Sequence, residues 1–300
     1  MSVAAAAPAP PLWRGLALAG AGSIAFSGKA IIVKLAYRYG VDPVTLIMYR
    51  MLFALPLFAL LAWWAGRGKP ALTRRDLVVV CGLGFSGYYL ASFLDFAGLQ
   101  YVSASLERLI LYLNPTLVLL LGVLLFKRRV SAQRLLALAV SYVGVLLVFG
   151  HELSFSGAQT ALGAALVFGS AASYAVYLAY SGEEVKRLGA LRLTGLASSV
   201  ACALCLLQFV LLRPLSAAAV APAVVWLSVL NATLCTFAPV LLVMMAVERL
   251  GASLTAQTGM IGPLSTIMMG VLILGEPFNG WVAAGTALVL VGIWLLARAR

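Results

Sequence analysis

Arg50, Asp95, Glu107 and Arg108 are charged residues set inside stretches that are otherwise apolar enough to lie in lipid. Two acids and two bases cancel, and an unpaired charge at membrane depth costs roughly 2.5–3.5 kcal/mol. Adjacent residues on a helix point about 100° apart, so Glu107 and Arg108 cannot satisfy each other. Each is expected to find a partner on another helix, with Arg50 or Arg108 facing Asp95. The four then form either a fixed ion-pair cluster stapling three helices or an outer gate with a titrating carboxylate. Lys29 can join that cluster or snorkel outward along its apolar stem.

Other reactive side chains are few. His151 is the only histidine and has no cysteine or carboxylate set around it that would make a metal site. Cys202 and Cys205 have C-x-x-C spacing, but no βαβ pattern surrounds them, and in an apolar helix a thiol packs as a small hydrophobe. No Walker loop, His-Glu-x-x-His motif or serine-histidine constellation is present. The sequence therefore gives no catalytic residue, no metal and no cofactor, and an enzyme is not expected.

The elements that must position those charges follow from composition. Hydrophobic residues make up 63% of the chain and charged residues 10%, against roughly 45–50% and 25% in an average soluble domain. A water-soluble core cannot absorb that excess; runs of about 20 apolar residues facing lipid can. Ten such runs are predicted, at 14–36, 43–65, 77–98, 103–126, 131–150, 160–181, 191–213, 223–247, 252–274 and 279–297. Residues 1–13 are small and Pro-rich and read as a disordered tail. Fifteen lysines and arginines fall on the side that ten spans assign to both termini, against Lys34, Arg38 and Arg213 on the other. By the positive-inside rule both termini are cytoplasmic. The net charge of +12 is then a matter of topology and anionic headgroups; nucleic acid is not implied.

A constant offset of 148 residues relates the two halves: Ala104 matches Ala252, Ser105 Ser253, Pro115 Pro263, Gly122 Gly270, Val123 Val271 and Gly144 Gly292. The chain thus reads as an all-α membrane protein of two five-helix units, 14–150 and 160–300. Five is odd, so the second copy enters the membrane from the opposite face. That inverted repeat is the architecture of many secondary transporters, whose substrates bind near the midplane between repeats.

Polar residues that could face such a cavity are identifiable. Span one holds Ser23 and Ser27 among glycines, and span six holds Ser173, Tyr174 and Tyr177. In span three, Tyr88, Ser92 and Asp95 fall on one helical face. Gln257 and Thr258 form a polar pair on span nine. A tyrosine can hold an apolar group and still make a hydrogen bond.

Two stretches, "LNPTLVLLLGVLLFKRRVSAQRLLALAVSYVGVLLV" and "IGPLSTIMMGVLILGEPFNGWVAAGTALVLVGIWLL", resemble the ends of the two repeats in the drug/metabolite transporter superfamily, in its ten-span EamA-type branch. The second copy matches more closely, with Pro263, the Gly275-Glu276-Pro277 turn, Gly285 and Gly292; in the first copy Arg128 stands where the second has Glu276. Within the branch the chain is most similar to bacterial amino-acid exporters of the YddG type. The resemblance implies a multi-pass protein of the bacterial inner membrane, able to act as a monomer, that exports neutral and aromatic amino acids. The alternatives are a carrier of another metabolite, inward or outward, and a non-transporting scaffold.

Overall fold

A computed structural model describes residues 12–126, 131–250, 258–259 and 261–298. All regular structure among them is helical. This is what apolar runs in lipid dictate, because a helix satisfies every backbone N–H and C=O within one segment. Helix α1 covers Leu12–Tyr37 and α2 Pro43–Gly66. Gly40 takes a positive φ of 73° in the turn between them. Asp42 then caps α2, accepting hydrogen bonds from the Val44 and Thr45 amides, and Pro43 fills a position whose N–H would be unpaired anyway. Helix α3, Arg74–Gly98, begins with a Thr73–Asp76 capping box and carries a π turn over Gly84–Leu90.

The predicted fourth span, 103–126, is not one helix. It is α4, Ala104–Leu111, and α5, Asn114–Phe126. The break follows from Pro115, which has no N–H and whose ring would collide with the carbonyl four residues back, that of Leu111. Beyond it, the long helix Ala132–Leu188 is two arms, α6 and α7, meeting at Gly157 with φ 58° and ψ −136°. Then follow α8, Ala190–Leu212, and α9, which runs from Pro222–Ala232 through a π turn at Thr233–Phe237 into Ala238–Leu250. Helix α10, Ile261–Met269, ends in a π turn, Gly270–Leu274, closed by Gly275 at φ 72°; α11 is Gly280–Arg298.

Six of the described helices are long and apolar enough to cross a membrane, and Leu135–His151, Ile261–Leu274 and Gly280–Gly292 are shorter apolar ones. Large apolar side chains lie bare on the outside, Leu124 at 75%, Leu272 at 76% and Leu211 at 71% exposure. Such a surface suits lipid.

The halves interlock through small residues. Helix α2 packs along α8, α6 along α11, α1 on α9 and α3 on α7. In the α6–α11 seam Gly144 lies on Gly285 and Val289, and Gly292 lies on Ala137 and Ser141. Residues 137, 141 and 144 and residues 285, 289 and 292 are equivalent at the 148-residue offset, so each contact is made twice with its members exchanged. A self-complementary seam of that kind is the signature of a two-fold relation.

Candidate functional site

Two cavities open between the helices. The larger, of about 1210 Å³, is lined by Lys34, Tyr37, Arg38, Leu99, Ser105 and Glu276 among others. The smaller, of about 430 Å³, is lined among others by Ser23, Ser27, Tyr88, Arg108, Tyr174 and Tyr177. Four helices change cavity within the same layer. Along α1 the lining passes from Ser27 to Lys34, along α3 and its end from Tyr88 to Leu99, along α4 from Arg108 to Ser105, and along α10 and its π turn from Gly262 to Leu274. Among the residues skipped in between are Lys29, Asp95, Glu107 and Thr266. A septum of buried charge therefore divides the two spaces.

Within it, Lys29 is the shared base. Its Nζ lies 2.5 Å from Asp95 Oδ2 and 3.2 Å from Glu107 Oε1. Glu107 is fully buried and neither of its oxygens accepts a hydrogen bond from the described residues. The expected arginine partners are elsewhere. Arg50 Nε donates to Thr236 Oγ1 at 3.0 Å, and its guanidinium lies 5.1 Å from the centre of the Phe96 ring. Arg108 Nε donates to Thr266 Oγ1 at 2.8 Å and Nη2 to the Phe26 carbonyl at 3.3 Å. Both arginines thus reach threonines of the second half, and neither is within ion-pair distance of Asp95. Lys29 takes that place because its flexible stem extends from α1, which packs on α4, far enough to reach Glu107 there and Asp95 on α3.

The smaller cavity collects most of the polar residues singled out in the sequence. The rings of Tyr88, Tyr174 and Tyr177 form a trio with centroids 5.1–6.4 Å apart, and the hydroxyls of Tyr88 and Tyr177 are 3.4 Å apart. Gly87 makes room for it, since a Cβ there would run into the Tyr177 ring. Ser23 and Ser27 line the opposite side, and the Ser27 hydroxyl donates at 2.8 Å to the carbonyls of Ser23 and Gly262. Ser173 does not line the cavity; its hydroxyl donates to the Ser86 carbonyl inside the π turn of α3. Ser92 is half-buried and does not line it either. Thr258 adjoins the lining residue Gly259, and Gln257 lies outside the described residues.

Sequence reasoning passed over Tyr112 and Gly259. Tyr112 ends α4 at the Pro115 break, and its hydroxyl donates at 3.1 Å to the carbonyl of Gly259, just before α10. Pro115 and Pro263 are equivalent at the 148-residue offset, and both interruptions border the same cavity. The paired prolines were the available signal. Glu276 acts away from this cavity. Its carboxylate accepts from the amides of Ala104 and Ser105 at 2.6 and 3.2 Å and from the Ser105 hydroxyl at 2.8 Å. A carboxylate there meets the positive end of the α4 dipole and caps it from the other half of the chain. Arg128, its equivalent in the first half, lies outside the described residues.

A profile of the EamA-like transporter family matches the chain twice, over residues 13–150 and 161–298. The chain belongs to the EamA-like transporter family. It is a multi-pass membrane transporter and not an enzyme. This EamA-like chain is 32% identical over 260 residues to the uncharacterized transporter YcbK of Bacillus subtilis (strain 168), covering 85% of this chain and 83% of that one. It is 25% identical over 292 residues to an uncharacterized transporter of Archaeoglobus fulgidus, covering 96% and 99%. A solved crystal structure shares the fold, with a TM-score of 0.62 at 18% identity over 94% of this chain and 95% of that one.

Proposed function

We propose that the protein exports neutral amino acids, aromatic ones included, across the bacterial inner membrane by alternating access around the smaller cavity. The observation that carries this reading is the composition of that cavity: four tyrosines and Phe26 form its walls, hydroxyls and one guanidinium supply polarity, and no acidic side chain is among its described lining residues. Its volume of about 430 Å³ falls in the ~300–1,000 Å³ range of small-molecule sites. Aromatic walls suit an apolar side chain, and a described lining without a carboxylate disfavours cationic drugs. Ten membrane spans in two inverted units, 14–150 and 160–300, with both termini cytoplasmic, complete the proposal. The reciprocal α6–α11 seam, the paired prolines and the basic-residue bias support it. The outward direction rests on the resemblance to YddG-type exporters.

Flux of labelled phenylalanine, threonine and methionine into proteoliposomes is the test. Flux above empty vesicles is expected for at least phenylalanine. Absence of flux for all three, with correctly inserted protein, refutes amino-acid transport.

A further inference from the structure

The buried charges of the septum do not sum to zero. Lys29, Arg50 and Arg108 are exposed by only 5–6%, and they face two buried carboxylates, Asp95 and Glu107. One positive charge is left over, and at membrane depth an uncompensated charge is costly. Neither arginine is paired with a carboxylate, and geometry says which of them a ligand can reach. Both carboxylates lie on Lys29. Arg50 lines neither cavity and is walled in by Phe96 and Thr236. Arg108 lines the smaller cavity, and the groups it donates to, Thr266 Oγ1 and the Phe26 carbonyl, are neutral.

Resting on the reading of that cavity as the substrate site, we infer that Arg108 is the anchor for a carboxylate group of the substrate. A guanidinium matches a carboxylate with two parallel N–H···O bonds. A single negative charge neutralises the septum; a phosphate dianion would overshoot it and finds no second cation among the described lining residues. The Tyr88–Tyr174–Tyr177 trio borders the same space and receives the apolar remainder of the ligand. The ligand class is therefore a monocarboxylate with an aromatic or aliphatic body: a monoanion cancels the surplus charge, whereas a zwitterionic amino acid pairs its carboxylate with Arg108 and leaves the total at one positive charge.

The test is ligand-dependent thermal protection of the purified full-length protein by three probes sharing a phenyl group: phenylalanine, 3-phenylpropionate and phenylalaninamide, with a series of aliphatic monocarboxylates beside them. The two phenyl acids are expected to protect and the amide, which lacks the carboxylate, to fail. Arg108→Gln is expected to weaken binding of the acids by about tenfold or more, the loss of a charge-assisted pair, and Arg108→Lys to recover part of it. The acid-against-amide comparison needs only the wild-type protein, so a variant that does not fold leaves the inference testable. Equal protection by amide and acid overturns it, as does wild-type affinity for the acids in folded Arg108→Gln, or failure of every monocarboxylate to bind. Protection by 3-phenylpropionate without phenylalanine sinks the amino-acid reading and leaves the anchor standing.

Discussion

Replacing Lys29 by glutamine should be the most damaging single change in the charge septum. At an effective dielectric of about 20, a unit pair is worth about 7 kcal/mol at 2.5 Å and about 5 kcal/mol at 3.2 Å before desolvation is subtracted, the two separations Lys29 makes to Asp95 and Glu107. Its loss leaves two buried carboxylates facing each other, and stranding a buried partner typically costs about 3–5 kcal/mol. Glu107→Gln is a different perturbation. It removes the second acid on Lys29 but leaves the shorter Lys29–Asp95 pair intact, and is expected to cost less than Lys29→Gln. Asp95→Asn lies between, near the 1.5–3 kcal/mol of one charged hydrogen bond. The double change Lys29→Gln with Glu107→Gln should recover more than about 1 kcal/mol relative to Lys29→Gln alone, a coupling that a double-mutant cycle reads directly. Thermal unfolding of the purified protein, followed by tryptophan fluorescence, gives the ranking. If Glu107→Gln destabilises as much as Lys29→Gln, or if the double change is additive, Lys29 is not the shared base.

In the smaller cavity, Tyr88→Ala and Tyr174→Ala should reduce phenylalanine flux severalfold while the protein still elutes as a folded species; unchanged kinetics in both would return the rings to packing. Gly87→Ala places a methyl group in the Tyr177 ring and is expected to cost about 1–3 kcal/mol by overpacking, measured as a fall in unfolding midpoint. Glu276→Ala removes the cap of Ala104 and Ser105 and should cost roughly 0.5–2 kcal/mol; Asn279, whose Oδ1 accepts from the Val282 amide at the start of α11, should lose less on replacement by serine, which retains a capping oxygen. Burial alone would raise the Asp42 pKa, but hydrogen bonds from Thr45 and Val44 and the charge of Arg213 outweigh it and hold it below the ordinary value. The stabilisation from Asp42 is therefore complete above the unfolded pKa of about 3.9 and fades as pH falls through the lower folded value. The stability gap between wild type and Asp42→Asn should be present at pH 7 and shrink in acid; a gap that grows in acid contradicts this.

How much of this could be read from the chain follows from what each feature depends on. Apolar runs fix helices because lipid leaves the backbone no other partner, so α1, α2, α3 and α8 fall within a few residues of the spans read from composition. The α4–α5 break was also written in the sequence, as Pro115, yet hydropathy averages over it. Tyr88, Tyr174 and Tyr177 meet because helical spacing put them inside their spans, and that spacing is visible without coordinates. The partner of Asp95 was not visible. Three cations lay within reach on α1, α2 and α4, and the choice among them depends on side-chain direction and helix rotation. The π turns carry no compositional mark either. One additional residue per turn rotates everything after it, which is enough to take Ser92 off the face shared with Tyr88 and leave it away from the cavity.

The surplus charge of the septum also makes it a voltage sensor in miniature. Moving one elementary charge through 100 mV changes the free energy by about 2.3 kcal/mol. With no ligand on Arg108, any rearrangement that carries the layer across part of the membrane does electrical work, and a negative cytoplasm opposes its outward step. With a monoanionic carboxylate bound the layer is neutral and that work vanishes; a zwitterion leaves it unchanged. With 3-phenylpropionate, a monoanion, the empty carrier's return then carries the transient current and the loaded step is silent, so currents recorded from protein-loaded membranes after a jump of that probe should appear in wild type and shrink in Arg108→Gln. A loaded step that carries the larger current would mean the neutralising charge does not travel with the substrate.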